Sequence, residues 1–174
     1  MGDDTTTTED PTLERDAFMT RVEGILDPAY RLATVILLDY GAAENAVHAA
    51  TLTAWSRYAS QGGGVTSFRT WFLAIVAARC QRLRQWRRLT LRRGDASSVG
   101  GSADVVVGLP LPSRTALFCR VSLGLPDDDV ARVLRTSPVR VRSRAFRARE
   151  RVEAELNRLK EEEFLNRMEE EEEE

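Results

Sequence analysis

The sequence predicts an all-α protein made of two small helical domains that a flexible linker joins. Apolar residues recur every three or four positions through most of the 174 residues, which is the spacing of amphipathic helices. A glycine- and serine-rich stretch at 93–108 interrupts this pattern and predicts the linker. The valines at 105–107 are too few to predict a strand. We assign the domains to 12–92 and 109–156, with acidic tails at 1–11 and 157–174.

The N-terminal domain is predicted to hold three helical stretches. The first begins at Asp10-Pro11, because proline suits the first turn of a helix, and it forms either one kinked helix or two abutting ones ending near Tyr40. The second spans roughly 42–60, and its apolar spacing gives a core stripe of Ala43, Val47, Ala50, Ala54 and Tyr58. Glycines at 62–64 then break the chain, and a third helix runs from Phe68 to about Leu91, turning strongly basic beyond Arg79.

The C-terminal domain is predicted to be a helix-turn-helix. A helix over 113–123 ends at Gly124, and a short helix over 127–135 follows with three acids in its first turn, where the helix dipole favours them. A turn of a few residues leads to a basic helix over 137–152, which Ser137 can cap. In this arrangement the second helix enters the major groove of DNA while the first holds it there.

The helix over 137–152 has one narrow apolar stripe and is otherwise cationic. Its stripe consists of Val141, Ala145, Ala148 and Val152, and its arginines are Arg140, Arg142, Arg144, Arg147, Arg149 and Arg151. Arginine presents a planar fork of donors that matches phosphate and the guanine edge, so we expect this helix to lie against nucleic acid. A solvated arginine-rich face is the alternative interpretation.

The charge distribution also favours a polyanionic partner. The net charge of −2 is the sum of three unlike segments. Residues 15–151 carry a charge of +11, the N-terminal segment before them carries −5, and the C-terminal segment after them carries −8. We expect residues 153–168 to continue the last helix. The terminal glutamates could fold back over the arginine helix or remain a solvated tail.

Several classes of protein are excluded by what the sequence lacks. An acidic N-terminus and short apolar runs indicate no signal peptide and no membrane partner, so we expect a cytoplasmic protein. Cys80, Cys119 and His48 make a poor metal set, and the two cysteines are predicted to be buried thiols. No catalytic constellation is present, so we expect neither enzymatic activity nor a cofactor.

Two sets of motifs resemble one family, the extracytoplasmic-function sigma factors of bacteria. The C-terminal set resembles region four and comprises Leu111-Pro112, Gly124-Leu125, Val130-Ala131-x-x-Leu134 and the run 141–149. The N-terminal set resembles region two: 42–55 is similar to the polymerase-binding helix, and 67–72 is similar to the start of the promoter-melting helix. The resemblance covers about 130 residues in the family's order.

The resemblance implies a sigma factor that directs core RNA polymerase to promoters, with an anti-sigma factor as a further candidate partner. It implies promoter contacts upstream by Ser137, Arg140, Arg142, Ser143, Arg144 and Arg147, and downstream by Arg69, Trp71, Arg79, Arg82 and Arg84. It implies polymerase contacts by Glu44, Asn45, Val47, His48, Leu52 and Trp55. The loop 59–67 would read a flipped base or serve as a plain connector, and Phe68 would either stack on a base or belong to the core.

Some positions depart from the family pattern. Asn45, His48, Ala49 and Thr51 replace residues that usually contact polymerase, which leaves a degenerate sigma-like regulator as an alternative function. A stand-alone helix-turn-helix regulator is a third. Ala77-Ala78 and Arg82 also differ from the usual residues of the third helix. Arg135 replaces a glycine in the turn before the arginine helix, and a positive φ there would cost about 1 kcal/mol.

Overall fold

The computed structural model describes residues 11–60, 67–90 and 102–172, and all regular structure in these ranges is helical. The helices are α1 (Pro11–Glu23), α2 (Leu26–Leu37), α3 (Tyr40–Ser60), α4 (Phe68–Thr90), α5 (Ser102–Val107), α6 (Leu111–Val121), α7 (Asp127–Leu134) and α8 (Pro138–Glu172). The all-α prediction is confirmed. We call α1–α4 the N-terminal unit and α5–α8 the C-terminal unit.

The boundaries of the first helices follow from local chemistry. α1 and α2 are two abutting helices, one of the two predicted arrangements, and Ile25 at their junction is buried. Leu38 ends α2 in the left-handed conformation, with φ 55°. Asp39 then caps α3, because its Oδ1 accepts a hydrogen bond from the backbone N–H of Ala42 at 2.8 Å.

An aromatic cluster fixes the packing of α1, α3 and α4. The ring of Phe18 lies 5.2 Å from those of Trp55 and Tyr58 and 5.7 Å from that of Phe68, measured between centroids. Phe72 extends the cluster, 6.1 Å from Phe68. Phe68 therefore belongs to the core, which was one of its two predicted roles. Burial of such large rings contributes several kcal/mol in total, at roughly 25 cal/mol per Å².

The C-terminal unit has the predicted helix-turn-helix. α7 ends at Arg135, whose φ of 52° places it in the left-handed region, and the N–H of Thr136 bonds back to the carbonyl of Ala131 at 2.9 Å. The Ser137 hydroxyl accepts from the N–H of Arg140 at 3.4 Å, a long capping contact at the start of α8. Val141 is fully buried against the unit's core.

One segment is more helical than the sequence predicted, and a second confirms the expected continuation of the last helix. α5 occupies 102–107 within the stretch assigned to the linker; the linker positions 93–101 lie outside the described residues. The segment 157–172 of the acidic tail continues α8 as one helix, so these residues do not fold back over the arginines. The acidic segment 1–10 also lies outside the described residues.

The two units pack against each other along α4 with α7 and α2 with α6. Buried residues of the C-terminal unit, including Cys119, Leu125 and Val130, join the same hydrophobic core as Phe72 and Val76 of the N-terminal unit. We call this arrangement the closed form.

Each unit contributes one arginine that donates a hydrogen bond to a backbone carbonyl of the other unit, close to the end of a helix. Arg114 of α6 donates through Nε to the carbonyl of Val35 at 3.0 Å, and Arg69 of α4 donates through Nη2 to the carbonyl of Leu123 at 2.7 Å. Because carbonyls at helix ends lack intrahelical donors, these arginines satisfy groups that would otherwise be unpaired.

Candidate nucleic-acid interface

The arginine helix, α8, has the geometry that its sequence pattern predicts. Val141, Ala145 and Ala148 are at most 2% exposed and hold the helix against α6 and α7. Arg144 is half-buried, and the other five predicted arginines are exposed: Arg140, Arg142, Arg147, Arg149 and Arg151. The helix therefore presents a cationic surface to solvent along its first four turns.

Neighbouring side chains orient some of these arginines and leave others unpaired. Arg147 donates to the carbonyl and hydroxyl oxygens of Ser143, at 3.2 and 2.9 Å, and Arg149 pairs with Glu153 at 2.6 Å. In the part of the chain that the structure describes, Arg140 and Arg144 form no ion pair. Their charge is therefore available to an external anion.

Asp127 at the start of α7 connects the two helices of the helix-turn-helix to α6. Its carboxylate lies 2.8 Å from Nε of Arg120 and 3.8 Å from Nε of Arg142. A carboxylate in the first turn also complements the dipole of α7. This arrangement positions Arg142 of α8 relative to the rest of the helix-turn-helix.

The predicted downstream contacts on α4 divide into two groups. Arg79 and Arg82 are exposed and Arg84 is half-buried on the basic half of the helix. Arg69 bonds Leu123, and Trp71 is half-buried where α4 faces α7. The structure therefore does not bring all five residues onto one open surface, because the C-terminal unit occupies part of that face.

The surface predicted to bind polymerase lies on α3. Glu44, Asn45 and His48 are exposed, and Leu52 is exposed at 59%. Trp55 is half-buried against Phe18. The predicted polymerase contact by Val47 is wrong. Val47 is 2% exposed and lies in the core, so it cannot offer a contact to another protein. Its helical position points it toward the other helices of the N-terminal unit rather than outward.

Comparison with solved structures decides the fold. The chain is similar to the sigma factor RpoE of Bartonella quintana, solved in complex with the anti-sigma factor NepR, with a TM-score of 0.67 and 18% identity over 81% of this chain and 97% of that one. It is also similar to CnrH, solved with the cytosolic domain of CnrY, with a TM-score of 0.64 and 23% identity over 82% of this chain and 89% of that one. The chain has the sigma-factor fold. The sequence itself matches no protein-family model and no curated protein.

The sigma-factor fold buries both cysteines, as predicted. Burial raises the pKa of Cys80 and of Cys119 to about 12, so both thiols stay protonated and unreactive at neutral pH. Among the described residues, no group of histidine, cysteine and acidic side chains could hold a metal ion. No helix in the same ranges is long and apolar enough to cross a membrane.

Sequence reasoning missed one arginine that organises this fold. Arg114 is 4% exposed and donates to the carbonyls of Val35, Val107 and Leu109, at 3.0, 2.7 and 3.4 Å. Burial, followed by the nearby charge of Arg84, lowers its pKa below the usual value. Its sequence signal was an arginine inside an otherwise core-forming helix. Positions 61–66 of the loop 59–67, where base reading was predicted, lie outside the described residues.

Proposed function

We propose that this protein is a sigma factor that directs core RNA polymerase to promoters and opens them. The single observation that supports this most is the cationic surface of α8, held on a helix-turn-helix inside a sigma-factor fold. The protein itself would catalyse no bond change; it would supply position and charge to the polymerase.

The upstream promoter element would bind α8. Arg140 and Arg144 form no ion pair within the described ranges, and their guanidinium groups suit bidentate contacts with phosphate or guanine. Arg142, Ser143 and Arg147 lie on the adjoining turns, with Ser137 at the entry to the helix. Because phosphate neutralisation dominates such binding, affinity for DNA should fall steeply with added salt.

The downstream element would bind the basic half of α4. Arg79, Arg82 and Arg84 could hold the backbone of a separated strand, and Trp71 could stack on a base, which are the two requirements for holding single-stranded DNA. Since α7 covers part of this face, full use of α4 requires the two units to move apart. The closed form would therefore be a resting state of the chain.

Polymerase would bind the exposed surface of α3, through Glu44, Asn45, His48, Leu52 and Trp55. Leu52 is the strongest candidate for an anchor, because it is a large apolar side chain exposed at 59% beside the half-buried Trp55. An anti-sigma factor is a further proposed partner, since both similar sigma-fold proteins were solved with a protein partner.

The second candidate function is a sigma-like regulator that binds a partner protein without programming polymerase. It is favoured by the exposed Asn45 and His48, which stand where the family usually has other residues, and by the closed packing of the two units.

A pull-down with purified core polymerase separates the two candidates. The proposed sigma factor should be retained, and Leu52→Asp should abolish retention because it places a charge in the anchor. Arg158→Ala, on the far part of α8, is the matched control and should be retained like the unaltered chain. Failure of the unaltered chain to bind polymerase would favour the regulator.

A further inference from the structure

The closed form creates a cationic cleft between the two units, along one face of α4. The cleft has a volume of about 560 Å³ and is lined by residues from α3, α4 and the end of α7. Four of its lining residues are arginines: Arg57, Arg82, Arg132 and Arg135. No acidic side chain of the described residues lines it. Its volume lies within the range of small-molecule sites, roughly 300–1,000 Å³.

The arginines of the cleft are largely free to bind a ligand. In the described ranges, Arg57, Arg82 and Arg135 form no ion pair, whereas Arg132 pairs with Asp129 at 2.6 Å. All four side chains are exposed, so their guanidinium groups are accessible to an anion from solvent. Like charges gathered around one cleft repel one another, and an anion with several charges relieves that repulsion.

Arg135 provides a second, independent observation. Its φ of 52° costs about 1 kcal/mol relative to glycine, yet the position holds an arginine whose side chain lines the cleft. A strained residue at a functional position is a reason to look for a role of its side chain.

The remaining lining residues suit a planar, partly polar group. Trp71 is half-buried, with its ring 5.6 Å from that of Phe68, and its exposed part lines the cleft. Gln81 and Gln85 place exposed amides farther along the same face of α4. An indole ring can stack on a base, and amides can donate to and accept from a base edge.

We propose that this cleft binds a nucleotide carrying two or more phosphates, and that such a ligand stabilises the closed form. The phosphates would lie among Arg57, Arg82 and Arg135, with the base toward Trp71 and the glutamines. Because the cleft needs residues of both units, a ligand bound there opposes their separation. The inference concerns the chain alone, so it can hold or fail independently of polymerase binding.

Calorimetric titration of the full chain with ATP and GTP tests the site directly. Saturable binding should weaken about tenfold or more in Arg82→Gln and in Arg135→Gly, because each loses a charge-assisted hydrogen bond to phosphate. Arg135→Gly also relieves the positive φ, so a loss of affinity with equal or higher stability in urea would come from the missing side chain. Arg140→Gln, which removes a charge from α8 outside the cleft, is the control and should bind as the unaltered chain does.

Three results would overturn the proposal. The first is that neither nucleotide binds saturably, and the second is that Arg140→Gln weakens nucleotide binding as much as the cleft variants do. The third is that inorganic tripolyphosphate binds with equal affinity, which would leave the base without a role. A fourth titration with a short single-stranded oligothymidylate identifies the competing ligand. If the oligonucleotide bound through Arg82 and Arg135 while nucleotides did not, the cleft would belong to single-stranded DNA instead.

The conformational part is tested by fluorescence energy transfer between dyes on His48→Cys and Glu153→Cys, one in each unit. The native thiols are buried and should stay unlabelled. ATP should raise the fraction of molecules with high energy transfer when the labelled chain carries no other change. It should not do so when the labelled chain also carries Arg135→Gly. An unchanged or lowered fraction with bound ATP would show that the ligand does not favour the closed form.

Discussion

Arg114 Nε in α6 donates a hydrogen bond to the carbonyl oxygen of Val35 in the last turn of α2, at 3.0 Å. The same guanidinium bonds the carbonyls of Val107, where α5 ends, and of Leu109. A cation at these positions complements the negative ends of two helix dipoles. The buried side chain of Arg114 therefore links the end of α5 and the backbone at Leu109 to α2 of the N-terminal unit.

Replacing Arg114 should loosen the closed form. Arg114→Met removes three hydrogen bonds and leaves the three carbonyls without this donor, so we expect a loss of about 1–3 kcal/mol in unfolding free energy. Energy transfer between dyes on the two units should fall at the same time. Arg140→Met, an exposed arginine of α8, is the control and should change neither quantity. Unaltered energy transfer in Arg114→Met would mean that this residue does not hold the units together.

Arg135→Gly should stabilise the protein. The residue has φ 52°, where glycine is freer of steric strain by about 1 kcal/mol, so urea unfolding should shift in the stabilising direction by about that amount. Arg132→Gly, inside α7, should instead destabilise by about 1 kcal/mol, because glycine is a poor helix former. A lower stability of Arg135→Gly would show that its side chain contributes more than the backbone strain removes.

Asp39 should make stability depend on acid pH. The N–H of Ala42, followed by Arg87 at 2.8 Å, lowers the pKa of Asp39 below its usual value. The contribution of ionised Asp39 to stability is therefore fully present above the pKa of this group in the unfolded chain, about 3.9. It is lost as the pH falls through the lower pKa of Asp39 in the folded chain. Unfolding free energies from pH 7 to pH 3 should show a drop below about pH 4 that is smaller in Asp39→Asn.

The control for this acid effect is Asp16→Asn, an exposed carboxylate on α1. It should keep the pH dependence of the unaltered chain. Asp39→Ala should lose a further 0.5–2 kcal/mol or so at neutral pH, since alanine cannot cap α3. An identical pH profile for Asp39→Asn and the unaltered chain would contradict the assignment.

Arg144→Ala should weaken binding to duplex DNA that carries the upstream element. Loss of one base or phosphate contact should reduce affinity by about 1–3 kcal/mol, measured by fluorescence anisotropy on a duplex selected from a random pool. Arg158→Ala is the matched control, because Arg158 lies on the same helix and pairs with Glu155 and Glu162. Equal affinity of Arg144→Ala and the unaltered chain would argue against α8 as the reading helix.

Local sequence patterns predicted most of the fold. The apolar stripe of α8 and the turn at Arg135 follow from spacing and helix-end chemistry, which act over a few residues. For α1 and α2 the same signals left either one kinked helix or two abutting helices. The amphipathic pattern of α8 also predicted which of its residues would be exposed. Val47 was assigned to the surface because the resemblance was transferred by position, whereas its apolar spacing on α3 already placed it in the core.

The closed form could not be read from those patterns. Arg69 and Arg114 each donate to a backbone carbonyl of the other unit. Every residue carries such a carbonyl, so the sequence does not show which one an arginine will bond. The cleft between α4 and α7 depends on the same long-range packing. The sequence places Arg132 in the short helix and Arg135 at the turn that follows it, and only the packed units bring them beside Arg82.

Transcription in vitro tests the proposed function most directly. The purified chain would be added to core RNA polymerase on a library of random promoter sequences, and the RNA products would be sequenced. We expect transcripts that start at a fixed distance downstream of two enriched sequence elements, with the upstream element lost when Arg144 is replaced by alanine. Transcripts no different from those of core polymerase alone would contradict a sigma-factor function for this chain.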